Sequence, residues 1–237
     1  KDTIISLNNK ASGKKKLKIK KGPNKFTWDM YYDGASDFDG MILWWASLNG
    51  PKAVPGNYFV ELNVNGVVQV KPFKISIDPR SESSIKSMQE QFDFINSINK
   101  TMDKAHKSIK KIRSIKSQLL KFNSIYNQDN LSKLKEKANE LSDDLSKIEK
   151  ALYQTQNRSG QDPLNFPIRL TNKLGHLNSL VSMGDFSPTE QDIAVKEYLT
   201  NQININLEIF DKLMIEEVKN FNELFNNNKL NYLISIE

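Results

Sequence analysis

Apolar residues follow two different rhythms along this chain, and the change falls near residue 80. Before it, large side chains alternate with polar ones. Tyr58, Val60, Leu62 and Val64 are spaced by two, with Glu61 and Asn63 between them, as on a strand with one covered face. Asn65-Gly66 then supplies the pair of residues that best tolerates the two positive φ angles of a type I′ hairpin turn, and Val68 and Val70 continue on the return strand. Beyond them the phase slips, because Phe73, Ile75 and Ile77 take the odd positions. Pro72 at the slip predicts a bulge or an edge strand. Lys25–Tyr31 alternates in the same way and predicts a further strand. Short strands, a hairpin and Trp residues together predict an antiparallel β-sandwich of the immunoglobulin or fibronectin type over residues 1–80.

Asp78-Pro79-Arg80 ends that region, since a residue before proline is biased towards extended backbone. From Ser84 the period becomes helical. Ile85, Met88, Phe92, Ile95, Met102, Ala105, Ile109, Ile112 and Leu119 form a stripe of threes and fours, with Ile98 in its middle. Leu134, Ala138, Leu141, Leu145, Ile148 and Leu152 make a cleaner seam, with Asp129 and Asn130 as natural caps before it. A shorter helix uses Ile168, Leu170, Leu174, Leu177 and Val181. Ser187-Pro188-Thr189-Glu190 reads as the start of the last one, which carries Leu199, Ile203, Leu207, Phe210, Met214, Val218, Phe221 and Phe225. Residues 81–237 are therefore expected to form an antiparallel four-helix bundle with long helices, with the apolar tail Leu230–Ile236 docked on it. The segment from Gln154 to Arg169 is richer in turn and polar residues than a helix connection requires. It is expected to be ordered, with Phe166 as buried anchor, Asp162 or Asn165 capping the next helix, and Arg158 and Arg169 paired with acidic groups.

Composition narrows the function. No apolar run approaches the roughly 18 residues that span a bilayer, so no membrane span is expected. Without Cys there is neither a disulfide framework nor a thiolate metal site. The net charge of +6 is concentrated in Lys14, Lys15, Lys16, Lys18, Lys20 and Lys21, while Lys and Glu interleave elsewhere as on solvated helix faces. A nucleic-acid partner is not expected. Neither a metalloprotease H-E-x-x-H, a phosphate-binding glycine loop nor a G-x-S-x-G elbow occurs, so no catalytic residue and no cofactor is assigned. His106 and His176 read as packing or surface residues.

The densest cluster of candidate residues runs from Tyr31 to Trp45. Asp33, Asp37 and Asp39 are weak candidates for a calcium ion, although turn-forming Asp explains them equally well. Adjacent Trp44 and Trp45 face opposite sides of an extended chain, one towards the core and one outward. An exposed Trp, with Tyr31 or Tyr32, fits a sugar ring, a protein interface or packing between domains.

Several of these runs also carry a likeness. Asn24-Lys25-Phe26-Thr27-Trp28-Asp29-Met30-Tyr31-Tyr32 is similar to an N-R-F-V-W-D-x-R-Y strand of a bacterial family. Gly40-Met41-Ile42-Leu43-Trp44 and Gly50-Pro51-Lys52-Ala53-Val54-Pro55-Gly56-Asn57-Tyr58 resemble its G-M-I-L-W and G-P-x-A-V-P-G-x-Y segments. Asp78-Pro79-Arg80 and the run from Tyr153 to Leu170 resemble its later landmarks. The chain thus resembles the C-terminal region, a FlgD-like immunoglobulin-type domain plus helical bundle, of secreted sortilin-like, BNR-repeat β-propeller proteins often labelled glycosyl hydrolase-like. Tyr31 stands near the family's Arg, which puts that residue's role in doubt. The Asp-box repeats of the propeller are absent from these 237 residues. The resemblance therefore implies a fragment or processed product and an extracytoplasmic setting. It also implies a non-catalytic accessory role, in contact with its own upstream propeller or another protein, with a polysaccharide-binding module as the alternative. Tyr31, Tyr32, Trp44, Trp45, Arg158 and Asp162 are the candidate contact residues.

Overall fold

The computed structural model describes residues 4–6, 20–126, 131–228 and 230. Strands precede helices, as the change of rhythm implies. The strands are β1 (Ile4–Ser6), β2 (Gly56–Val64) and β3 (Val67–Ile75), and the helices are α1 (Ile85–Ile125), α2 (Ser132–Leu152), α3 (Leu170–Val181), α4 (Glu190–Leu213) and α5 (Lys219–Asn227). Asp129 and Asn130, the lysines from Lys14 to Lys18, and Asn231–Ile236 lie outside the described residues. Leu230 packs half-buried against the core.

The strands form one antiparallel sheet in the order β1-β2-β3. An immunoglobulin-type sandwich requires two packed sheets, and the described residues hold this one. Asn65 and Gly66 both adopt positive φ, so the predicted turn is present. The predicted bulge is not. Pairing runs unbroken from Val64↔Val67 to Gly56↔Ile75. A two-residue turn sets odd positions of β3 opposite even positions of β2, so Phe73 shares a face with Tyr58 while Val68 and Val70 lie on the other. The slip read from the sequence is a change of face by the apolar residues along one regularly paired strand. Pro72 sits on the edge strand, where its missing N–H leaves a gap in the ladder that neighbours would otherwise extend. Most of the ribbon is exposed; its base is closed by Trp28, whose ring lies 6.1 Å from Tyr58 and 6.4 Å from Phe73.

Lys25–Tyr31 forms no regular strand. Met30 takes a φ of 65°, which breaks the alternation, and only an isolated bridge joins Tyr31 to Lys52.

The helices share one apolar core. All six seam positions of α2, and Ile95, Ile98, Met102, Ala105, Ile109, Ile112 and Leu119 of α1, are buried, whereas Ile85 is exposed on the first turn. The helix α1 packs against α2, α3 and α4. At its start Ser84 caps α1 by accepting the Ser87 N–H at 3.0 Å. The cap of α4 is Thr189, two residues beyond the expected Ser187: its hydroxyl accepts the Asp192 N–H, and the Asp192 carboxylate accepts the Thr189 N–H. One wide π-turn over Met214–Val218 carries α4 into α5. There Phe221 and Phe225 close around Phe122 of α1, the phenyl centroids 5.4 and 5.9 Å away.

Candidate interaction site

Residues 30–53 form an irregular segment that doubles back on itself and covers α1 and α3. Its two arms are tied by Tyr32 N–H to Pro51 O (3.0 Å), Ala35 N–H to Leu48 O (2.9 Å) and Ala53 N–H to Met30 O (2.7 Å). The backbone groups that this segment turns towards the helices need partners, and here helix side chains supply them. From α1, Asp103 accepts the Ser36 N–H (3.0 Å), His106 Nδ1–H donates to the Ser36 carbonyl (2.5 Å), Arg113 donates to the Asp39 carbonyl (2.9 Å) and Asn99 to that of Asn49 (2.9 Å). On α3, Asn172 accepts the Trp44 N–H (2.7 Å) and donates to the Trp44 carbonyl (2.8 Å). Asn178 donates to Asn49 O, His176 Nδ1–H to Trp45 O, and Ser47 N–H to Gly175 O. The Tyr153 hydroxyl, just past α2, accepts the Ile42 N–H at 2.7 Å.

Phe38 is the apolar anchor of this cover. It is buried, with its ring edge-on to Tyr153 at 4.9 Å and to His106 at 5.4 Å, and the Arg113 guanidinium lies 4.6 Å above it. Arg113 also donates to Glu149 (2.7 Å), as does Lys116 (3.0 Å), which pairs that buried carboxylate. The Asp103 carboxyl is held down to about 2. Burial alone would raise it, but hydrogen bonds from Lys107 and Ser36 and the Lys107 charge outweigh burial.

The two Trp residues differ in exposure, although the chain here is not extended and neither is a core residue. Trp44 is half-buried, its backbone held by Asn172, while Trp45 is 72% exposed with a φ of 51°. The left-handed region is costly for a bulky side chain, and such outliers persist only where surrounding contacts over-determine them. The bonds of Asn172, His176 and Gly175 on either side do so. The indole rings sit 6.4 Å apart at 43°, so Trp45 stands out from the surface beside a half-covered partner.

Tyr31 and Tyr32 occupy a different place, an open groove of about 630 Å³ that Asp29, Asp33, Asp37 and Asn49 also line. Tyr32 turns inward and meets Phe92 edge-on at 4.9 Å; Tyr31 is exposed. Among the described residues no three His, Asp or Glu side chains converge as metal ligands, so the weak calcium candidates Asp33, Asp37 and Asp39 are not brought together as a ligand set. Asp162 caps no helix. Its carboxylate closes its own turn by accepting the N–H groups of Arg158 and Ser159, which lower its pKa, Arg158 contributing most. Arg158 is exposed on that turn. Among the described residues, no ring contact or hydrogen bond joins the Tyr31–Tyr32 groove, the Trp pair and the Arg158–Asp162 turn. They are three separate features.

Sequence reasoning missed the residues that hold the segment. Asn99, Asp103, His106 and Arg113 follow one another at steps of four, three and seven beside the apolar stripe of α1. A polar file at helical spacing next to a buried seam was the available signal. Compared with protein-family models, with curated proteins and with solved structures, the chain matches none.

Proposed function

We propose that this chain is a non-catalytic interaction region, the accessory C-terminal part of a larger exported β-propeller protein, and that it works by presenting Trp45 to a partner. One observation carries the reading. An exposed indole stands on a segment whose backbone is fixed on both sides by α3, and its side chain buries little within the chain. Large aromatic side chains held rigid lose little freedom on contact and dominate interface energetics. The helical core, which we read as a four-helix bundle, serves as the support.

No helix among the described residues is long and apolar enough to cross a membrane. The proposed setting is extracytoplasmic and the proposed partner is the protein's own propeller or another protein. Trp45 beside the tilted Trp44 also supports a second reading, in which the pair stacks on a sugar ring.

Trp45→Ala tests both. Loss of association with the upstream propeller, supplied as a separate polypeptide, supports the first reading. Loss of retention on a polysaccharide supports the second. Unchanged behaviour in both assays removes Trp45 from function.

A further inference from the structure

His106 is the one fully buried imidazole, 0% exposed on α1. Its two nitrogens are treated very differently. Nδ1 faces the Ser36 carbonyl and must carry the proton to donate there, so Nε2 holds a lone pair. That atom is buried without a hydrogen-bond partner. Protonating it would create a second N–H and a full charge with no acceptor for the first and little solvation for the second. The charged groups nearby do not supply one. Asp103 and Lys110 stand on α1 itself and Asp37 on the covering segment, and across the Phe38 ring lie Arg113 with its partner Glu149 of α2. The Asp103 carboxylate is already engaged by Ser36 and Lys107.

We propose that His106 is an acid-sensitive latch: neutral, it holds residues 30–53 on α1, and protonated, it releases them. The segment is well placed for this. Asp103 and His106, one turn apart, bind the N–H and the C=O of the same residue, Ser36. Losing the imidazole would undo half of that grip at the point where Phe38 enters the core. The latch belongs to the fold itself and does not depend on what Trp45 contacts.

The direction follows from linkage. Burial depresses the His106 pKa, outweighing the Ser36 carbonyl and the Asp103 and Asp37 charges that raise it. A group with a depressed folded-state pKa binds fewer protons in the closed state than in the open one. Its contribution is complete above the open-state value of about 6.5 and declines as pH falls below it. Opening of the segment should therefore become up to about tenfold more frequent between pH 7.5 and 5.5.

Native-state amide exchange on the full chain, corrected for intrinsic rates, reads this directly. Protection of Ala35, Ser36 and Ser47 should fall by that factor while Leu141 and Leu145 in α2 change less than twofold. His106→Gln, which keeps a donor but does not titrate, should abolish the pH dependence; His176→Gln should retain it. Equal loss in α2 would mean global unfolding and would overturn the latch, as would protection independent of pH. Should His106→Gln fail to fold, titration of the imidazole signals in the unaltered chain decides. A His106 pKa at or above 6.5 overturns the proposal.

Discussion

Gly34 and Gly50 lie against each other across the two arms of the covering segment with no room for a side chain on either. A Cβ on Gly34 would run into the carbonyl oxygen of Leu48, and one on Gly50 into the carbonyl oxygen of Tyr32. Backbone atoms cannot swing aside as side-chain tips do. Gly34→Ala or Gly50→Ala should therefore part the arms and cost on the order of 2–3 kcal/mol. Gly160→Ala, where a Cβ would meet nothing, is the control and should be close to neutral. Urea unfolding of the three variants checks this. A near-neutral Gly50→Ala would show that the arms are not held together as described.

The helical half was legible because apolar spacing and burial coincide there: Leu134, Ala138, Leu141, Leu145, Ile148 and Leu152 read as a seam and form one. The hairpin turn was legible because Asn65-Gly66 has few alternatives. The covering segment was not. Its backbone partners are helix side chains such as Asn99, Asp103 and Asn172, distant in sequence from the residues they hold, so no local pattern within residues 30–53 announces them. Of the candidate site, the sequence left open which Trp faces outward; in the structure Trp45 is exposed and Trp44 is half-covered. The loop after α2 is tied down by a different residue than expected: Gln154, buried, donates to the Pro167 carbonyl at 2.9 Å, while Phe166 is half-buried.

Trp45 offers a separation of stability from function. Its side chain is mostly solvated, so Trp45→Ala should change stability by less than about 0.5 kcal/mol. Trp45→Gly relieves the left-handed φ and should match or exceed the Ala variant, by about 1 kcal/mol or less. Both should lose the proposed partner contact. Thermal melts of the pair measure the first claim, and a melt lowered by many degrees in both would mean that Trp45 is a packing residue.

Tyr58 gives the alkaline counterpart to the latch. Burial, then the charge of Tyr32 and the hydrogen bond with it, push its phenol up to about 12. The folded state thus keeps a proton that the unfolded state releases near 10. Stability from this group is present below pH 10 and is lost as pH rises from there towards 12. Absorbance titration near 295 nm should show one late-ionising tyrosine that Tyr58→Phe removes. A phenol titrating near 10 would mean that the base of the ribbon is more open than its packing against Trp28 implies.

Asn172 tests the link between α3 and the Trp pair most sharply, because one side chain satisfies both backbone groups of Trp44. It is buried, so Asn172→Ala leaves an N–H and a C=O without partners and should cost about 2–3 kcal/mol. Asn172→Asp is more informative. The carboxylate still accepts from the Trp44 N–H but faces the Trp44 carbonyl without a proton to donate. Once protonated, the introduced carboxyl can make both bonds. Its folded-state pKa should therefore lie above the ordinary value of about 3.9, and its stabilising form is present below that value and lost as pH rises through the raised one. Measured against the unaltered chain at each pH, the deficit of Asn172→Asp should be large at pH 7 and shrink at pH 4. Asn172→Ala should show a deficit that does not depend on pH. Two parallel pH profiles would mean that the amide of Asn172 does not hold Trp44 through both of its groups.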